Sequence, residues 1–219
     1  MVLELWAGEE AKIYVKVKNT SHLSRSFKVE CDVITEARSM ALTTQYTPTL
    51  APEESATVSW TWKSEAGDGW VDLKARVRDR QTGKLLDSKR KDNAIFVKYA
   101  DAKITDVGYF TLRHLCNGDP YAYARIKNTG NVRETFYVYF LGRDPASYYY
   151  NHAVERSITL DPGQEGQVNF SVWECIICQK SHCYDMLGQW DIKIVVSLAR
   201  SWEYGVIDSY VGTPCSVIE

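Results

Sequence analysis

Apolar and polar residues alternate along most of this chain with a period of two. Ile13, Val15 and Val17 are interleaved with Lys12, Tyr14, Lys16 and Lys18, a pattern that turns one side of an extended strand to a core and the other to water. The alternation returns 109 residues later as Ala122, Ala124 and Ile126 between Tyr121, Tyr123, Arg125 and Lys127. Both runs end on related pentapeptides, Lys16-Val17-Lys18-Asn19-Thr20 and Arg125-Ile126-Lys127-Asn128-Thr129. Next comes Ser21 in one copy and Gly130 in the other, completing polar triplets that favour tight reversals. A second strand follows, with Phe27, Val29 and Cys31 aligned to Phe136, Val138 and Phe140 at the same offset. A shared motif with a shared apolar register around it is the mark of a repeated unit.

The correspondence continues at an offset of 110, where Leu50-Ala51-Pro52-Glu53 matches Leu160-Asp161-Pro162-Gly163, and Val58, Trp60 and Trp62 match Val168, Phe170 and Val172. The next apolar row, Val71, Leu73, Ala75 and Val77, is matched to Ile192, Ile194, Val196 and Leu198 at an offset of 121, which implies about eleven inserted residues. Aligning Trp70 with Trp190 instead gives an offset of 120. That one-residue shift would turn a strand inside out, so the row takes precedence.

Strands are predicted at Val2–Trp6, around Val15, at Phe27–Cys31, Glu53–Trp62, Trp70–Arg78 and Asn93–Val97, with a charged loop at Lys89–Asp92 and a mixed stretch from Thr35 to Pro48, where the spacing of Met40, Leu42 and Tyr46 fits a seventh strand, or else a helical turn. The second copy reads as Ile104–Leu112, Tyr121–Lys127, Thr135–Leu141, Val154–Leu160, Gln167–Trp173, Trp190–Leu198 and Val206–Val211. Seven strands in each half, frequent turns and no helical period predict an all-β chain of two tandem seven-stranded antiparallel sandwiches, residues 1–99 and 100–219. The second carries a cysteine-rich insertion at about 174–186. Residues 98–101 contain no proline or glycine, so an end-to-end arrangement of limited freedom is expected.

Composition narrows the function classes. With 219 residues and 45% hydrophobic content, two cores are affordable. A net charge of −2 with both signs interspersed gives no basic stripe, so nucleic acid is not an expected partner. The longest apolar run, Ile192–Ala199, is short and holds Lys193, so no membrane insertion is expected. Met1–Leu5 lacks a basic start and an apolar stretch, so no secretory signal is legible there.

The alternating strand ending in Lys-Asn-Thr, the later Leu-x-Pro before another strand, and the charged stretch ending in Asp92-Asn93 resemble the CARDB modules. These are Ig-like, fibronectin-III-like sandwiches of archaeal and bacterial surface proteins. The second copy departs from the pattern, since Arg200–Gly205 has no acidic-Asn counterpart. The resemblance implies a spacer, adhesive or scaffolding role with no active site to carry over.

Five of the six cysteines fall in the second copy. Cys31, the sixth, takes the aligned place of Phe140 and is expected to be a small buried apolar residue. Strand alternation brings Cys116, Cys175, Cys178, Cys183 and Cys215 to one pole, with His114, His182 and the Tyr148-Tyr149-Tyr150-Asn151-His152 loop. Three chemistries fit there. Disulfides would staple an irregular loop, each contributing ~2–4 kcal/mol in an oxidising exterior. Zinc would take Cys175 and Cys178 with two of Cys183, Cys116, Cys215, His182 or His114, and is the one cofactor this pattern suggests. Free thiols are the third reading.

No Gly-x-Ser-x-Gly, His-Glu-x-x-His or phosphate-binding glycine loop is present, and a non-enzyme is expected. The expected role is a structural or adhesive protein, extracellular or at the cell surface, with a virion surface protein as an alternative and assembly into a larger structure compatible with both. A third reading is a glycan- or peptide-binding module using Tyr148, Tyr149, Tyr150 and His152, whose aromatic rings supply contact area at low entropic cost. Against it, alternate tyrosines also pack inward on an ordinary strand. Asn19-Thr20-Ser21 and Asn169-Phe170-Ser171 match the glycosylation pattern, and both are expected to be reachable.

Overall fold

The computed structural model describes residues 2–109, 112–113, 121–143, 152–171, 188–212 and 215–218. All of its regular structure is strand, and the chain divides into two compact units, residues 1–99 and 100–219. In unit 1, β1 (Leu3–Trp6), β8 (Leu85–Lys98), β7 (Trp70–Asp79), β3 (Phe27–Thr35) and β4 (Ser39–Ala41) form one sheet in that order, with β5 (Gln45–Tyr46) also on β3. Facing it is a pair, β2 (Glu10–Lys18) and β6 (Ser55–Lys63). Alternate residues of both layers, among them Ile13, Val17, Val29, Val33, Trp60 and Trp62, meet in one core.

Unit 2 repeats the plan. β9 (Ala102–Tyr109), β11 (Tyr121–Asn128) and β14 (Glu165–Ser171) form one layer. β12 (Glu134–Arg143), β13 (His152–Leu160), β15 (Gly188–Ser197), β16 (Val206–Val211), β17 (Cys215–Ile218) and the two-residue β10 (Leu112–Arg113) form the other. Phe140 and Phe170 meet across the layers, ring centroids 5.5 Å apart. Every strand anticipated in this unit is present; β10 and β17 are additional, as the short β4 and β5 are in unit 1.

Three expectations need correcting. Lys89–Asp92 is not a loop, because β8 runs through it, pairing Lys91 with Leu73 and Lys89 with Ala75. The irregularity there is a bulge at Asn93, whose φ of 49° is one asparagine tolerates and whose N–H donates to Asp72 Oδ1. The second correction concerns register. Cys31 pairs with Ala75, whereas its counterpart Phe140 pairs with Ile194, an offset of 119 rather than 121. About nine residues were therefore inserted, not eleven. Offsets that differ by two bury the same face, so alternation alone does not separate them.

The repeated pentapeptide is explained by its asparagine. Asn19 is fully buried, and its Nδ2 donates to Leu23 O at 2.8 Å and to Leu50 O at 2.9 Å while its Oδ1 accepts from Ser21 N at 3.0 Å. Asn128 repeats this, donating to Val132 O and Leu160 O at 2.9 Å each and accepting from Gly130 N at 2.9 Å. Around each, backbone bonds tie the strand end to a turn, from Glu53 N to Asn19 O at 2.8 Å and from Gly163 N to Asn128 O at 2.9 Å. That turn needs a left-handed residue, Glu53 at φ 66° or Gly163 at φ 75°. The expectation that Asn19 is reachable for glycosylation fails, since its amide is buried and its hydrogen bonds are already made. Asn169 is exposed. Cys31 is 1% exposed and burial pushes its thiol up to about 11, so it behaves as an apolar core residue.

Removing either amide strands two carbonyls. Asn19→Ala and Asn128→Ala are each expected to lower the stability of their unit by about 3 kcal/mol, read from urea unfolding. A loss below about 0.5 kcal/mol, ordinary for surface changes, would contradict the assignment.

Candidate functional site

At one end of unit 2, Tyr121 pairs with Ser171, Gly142 with His152, Arg143 with Asp191 and Trp190 with Cys215. Because β11 and β12 are joined at their opposite ends across residues 129–133, these strand ends belong to a single end of the unit. His152 and Cys215 thus each begin a strand there. Cys116, Cys175, Cys178, Cys183, His114, His182, Tyr148, Tyr149 and Tyr150 lie outside the described residues. Among the described residues, no group of three His, Cys, Asp or Glu is placed to hold a metal ion.

A second feature was not anticipated. On the outer face of the large sheet of unit 1, cross-strand neighbours are charged. Glu30 lies opposite Arg76 and Asp32 opposite Lys74, with Arg76 reaching Asp32 at 2.8 Å and Arg78 reaching Glu30 at 3.0 Å. At the same register in unit 2, Tyr139 lies opposite Val195 and Leu141 opposite Lys193. Tyr139, Leu141 and Val195 are buried and, with Tyr137, make a separate apolar cluster. The charged ladder of one unit is an apolar patch in the other. That change was legible in the sequence, since alternate residues Lys28, Glu30 and Asp32 become Tyr137, Tyr139 and Leu141.

The patch borders an open cleft of about 400 Å³ lined by Tyr139, Ala153, Glu155, Arg200, Trp202 and Glu203. Glu155 sits between two donors there, Tyr139 OH at 3.2 Å and Arg200 Nε at 2.7 Å. Burial foremost, then the Glu155 charge, pushes the Tyr139 phenol up to about 12, and the hydrogen bond to Glu155 raises the Arg200 guanidinium further. Tyr139 stays neutral and Arg200 cationic at physiological pH, so neither exchanges a proton there.

Residues 1–94 match the family model described as CARDB. The match contains both Lys16–Thr20 and Leu50–Glu53. Among solved structures, red sea bream transglutaminase is 10% identical, with all of this chain and 30% of that one covered, at a TM-score of 0.33. A DUF4785 family protein from Legionella pneumophila is 12% identical over 98% of this chain and 53% of that one, at 0.32. CBD12 from CALX1.2 is 12% identical over 92% and 80%, at 0.26. The chain therefore spans under a third of the first of these proteins and about half of the second. No curated protein sequence matches the chain.

The displaced phenol makes stability depend on alkaline pH. With an ordinary value near 10 when unfolded and about 12 when folded, Tyr139 contributes stability that is complete below about pH 10 and lost as pH rises through 12. Tyr139→Phe is expected to flatten the fall in unfolding free energy between pH 10 and 12 relative to the parent chain. An unchanged slope would contradict the buried, carboxylate-bonded phenol.

Proposed function

We propose that this chain is a non-enzymatic structural or adhesive module displayed at a surface, in which the two units supply rigid sandwiches and the cysteine-bearing end of unit 2 makes the contact. The observation that carries this reading is the division of roles between the copies. What they share, the alternating rows and the buried asparagines, maintains the fold. What differs is the row of the large sheet that points away from the core, charged in unit 1 and apolar in unit 2, and the sequence of the cysteine-rich segment. A match to CARDB over residues 1–94 favours the same class. Sandwich folds acquire catalysis only where a site is built on them, and the shared residues build none.

Disulfides at Cys116, Cys175, Cys178, Cys183 and Cys215, in an extracellular setting, are part of this proposal, with zinc as the rival chemistry. Tyr148, Tyr149 and Tyr150 with His152 are the proposed contact residues for a protein or glycan.

Beads carrying the full chain are expected to be retained on a printed glycan array or on immobilised extracellular-matrix proteins, with at least tenfold weaker retention for Tyr149→Ala at unchanged melting temperature. No retention on either surface would overturn the adhesive reading. Intact mass is expected to rise by about 2 Da for each bridge opened by reductant. An unchanged mass together with stoichiometric zinc would replace the disulfides by a metal site.

A further inference from the structure

In unit 2 the edge of β11 is covered. β9 runs antiparallel along it, from Ala102 opposite Asn128 to Tyr109 opposite Ala122. Its Ala102, Ile104 and Val107 join the core, and the Ile104 N–H donates to Asp208 Oδ2 of β16 at 2.8 Å. On the outward side Asp106 lies opposite Arg125 and accepts from Tyr123 OH at 3.1 Å. β9 thus fills the space between β11 and β16.

The same edge in unit 1 belongs to Ile13–Asn19, and there it is bare. Among the described residues β2 pairs with β6 alone. β1 is no counterpart of β9, for it pairs in parallel with Ile95–Lys98 at the end of β8, as β10 pairs in parallel with β17. Among the described residues, unit 1 has the equivalent of β10 and no strand in the place of β9.

Several groups that contact β9 have counterparts around this gap. Asp87 pairs with Val77 as Asp208 pairs with Val196, both beside a register shift, and each carboxylate takes its following serine N–H at 2.8 Å through Oδ1. Oδ2 of Asp208 holds β9, whereas Oδ2 of Asp87 has no partner among the described residues. Leu86, the counterpart of the partly buried Ile207, is 47% exposed, and Val15 is partly exposed where Ala124 is fully buried. Tyr14 and Lys16, counterparts of Tyr123 and Arg125, face outward without an acid like Asp106. Between them lies a groove of about 470 Å³ whose walls include Lys16, Val17, Phe27, Val77, Leu86 and Asp87.

We propose that unit 1 is a strand acceptor. Its occupant is an extended polypeptide segment from outside residues 1–219, running antiparallel to β2, with apolar residues at alternate positions facing the groove and a carboxylate opposite Tyr14 and Lys16. Addition of a strand to an open edge combines backbone hydrogen bonds for affinity with alternate side-chain pockets for specificity. A second copy does not fit as occupant, because two β2 edges would bring their rows of Lys12, Lys16 and Lys18 together. The proposal is independent of the adhesive reading, which concerns unit 2.

The second unit supplies the probe. A capped peptide with the sequence of residues 101–109 is titrated against the full chain by fluorescence anisotropy, and amide hydrogen exchange locates it. Saturable binding is expected, with new protection at Lys12–Lys18, at least tenfold weakening for Asp87→Ala, and no binding when the peptide carries aspartate in place of Ile104 and Val107. Asp87 is exposed, so its variant leaves the fold intact. Absence of saturable binding, indifference to the two peptide changes, or loss of protection at Tyr121–Asn128 from displacement of β9 would each overturn the proposal.

Discussion

Each sandwich depends on a buried primary amide. A strand that ends inside a β-sandwich leaves carbonyls of the neighbouring chain facing an apolar interior, where an unmet acceptor costs about 1–3 kcal/mol. Asn19 and Asn128 answer that constraint with two donors and an acceptor on a short side chain, binding segments 31 and 32 residues distant in sequence. No aliphatic residue supplies those bonds, and glutamine is one methylene longer. The pentapeptide is therefore retained in both copies as a fold determinant, and its lysines and threonine accompany it on the outside.

With the interior fixed in this way, the outer surfaces are free to diverge. The same backbone positions carry a lattice of ion pairs in unit 1 and a tyrosine-leucine-valine cluster in unit 2. Those ion pairs are partly buried and the cluster that replaces them is buried, so the exchange changes how the side of the sheet turned away from the core is packed. The sheet edges diverge too. β11 is covered by a neighbouring strand, whereas β2 presents a lysine-rich edge, a composition that opposes pairing with itself and leaves pairing with an acidic strand open.

Strand positions were legible because period-two alternation is a direct imprint of burial, and in unit 1 the row of Ile13, Val15 and Val17 did lie on the core side. The CARDB resemblance agrees with the family match over residues 1–94. What escaped was anything set by pairing rather than burial. The 119-residue offset, the continuation of β8 through Lys89–Asp92 and the parallel pairing of β1 depend on which backbone groups face one another, which alternation does not encode. Asn19 was misjudged for a related reason, since a polar residue at a turn reads as exposed unless its partners, Leu23 and Leu50, are known. The cleft residues Glu155 and Arg200 come from separate strands and loops, although the aromatic row of β12 beside them was visible in the sequence.

The most direct measurement is hydrogen exchange of the side-chain amides of Asn19 and Asn128, followed by NMR with Asn169 as the exposed reference. If these amides hold the sandwiches together, their Nδ2 protons exchange only through opening of the surrounding core, at rates close to those of the Ile13 and Ala124 backbone amides. Exchange as fast as that of Asn169 would show that neither asparagine is held, and the account of the repeat would fall with it.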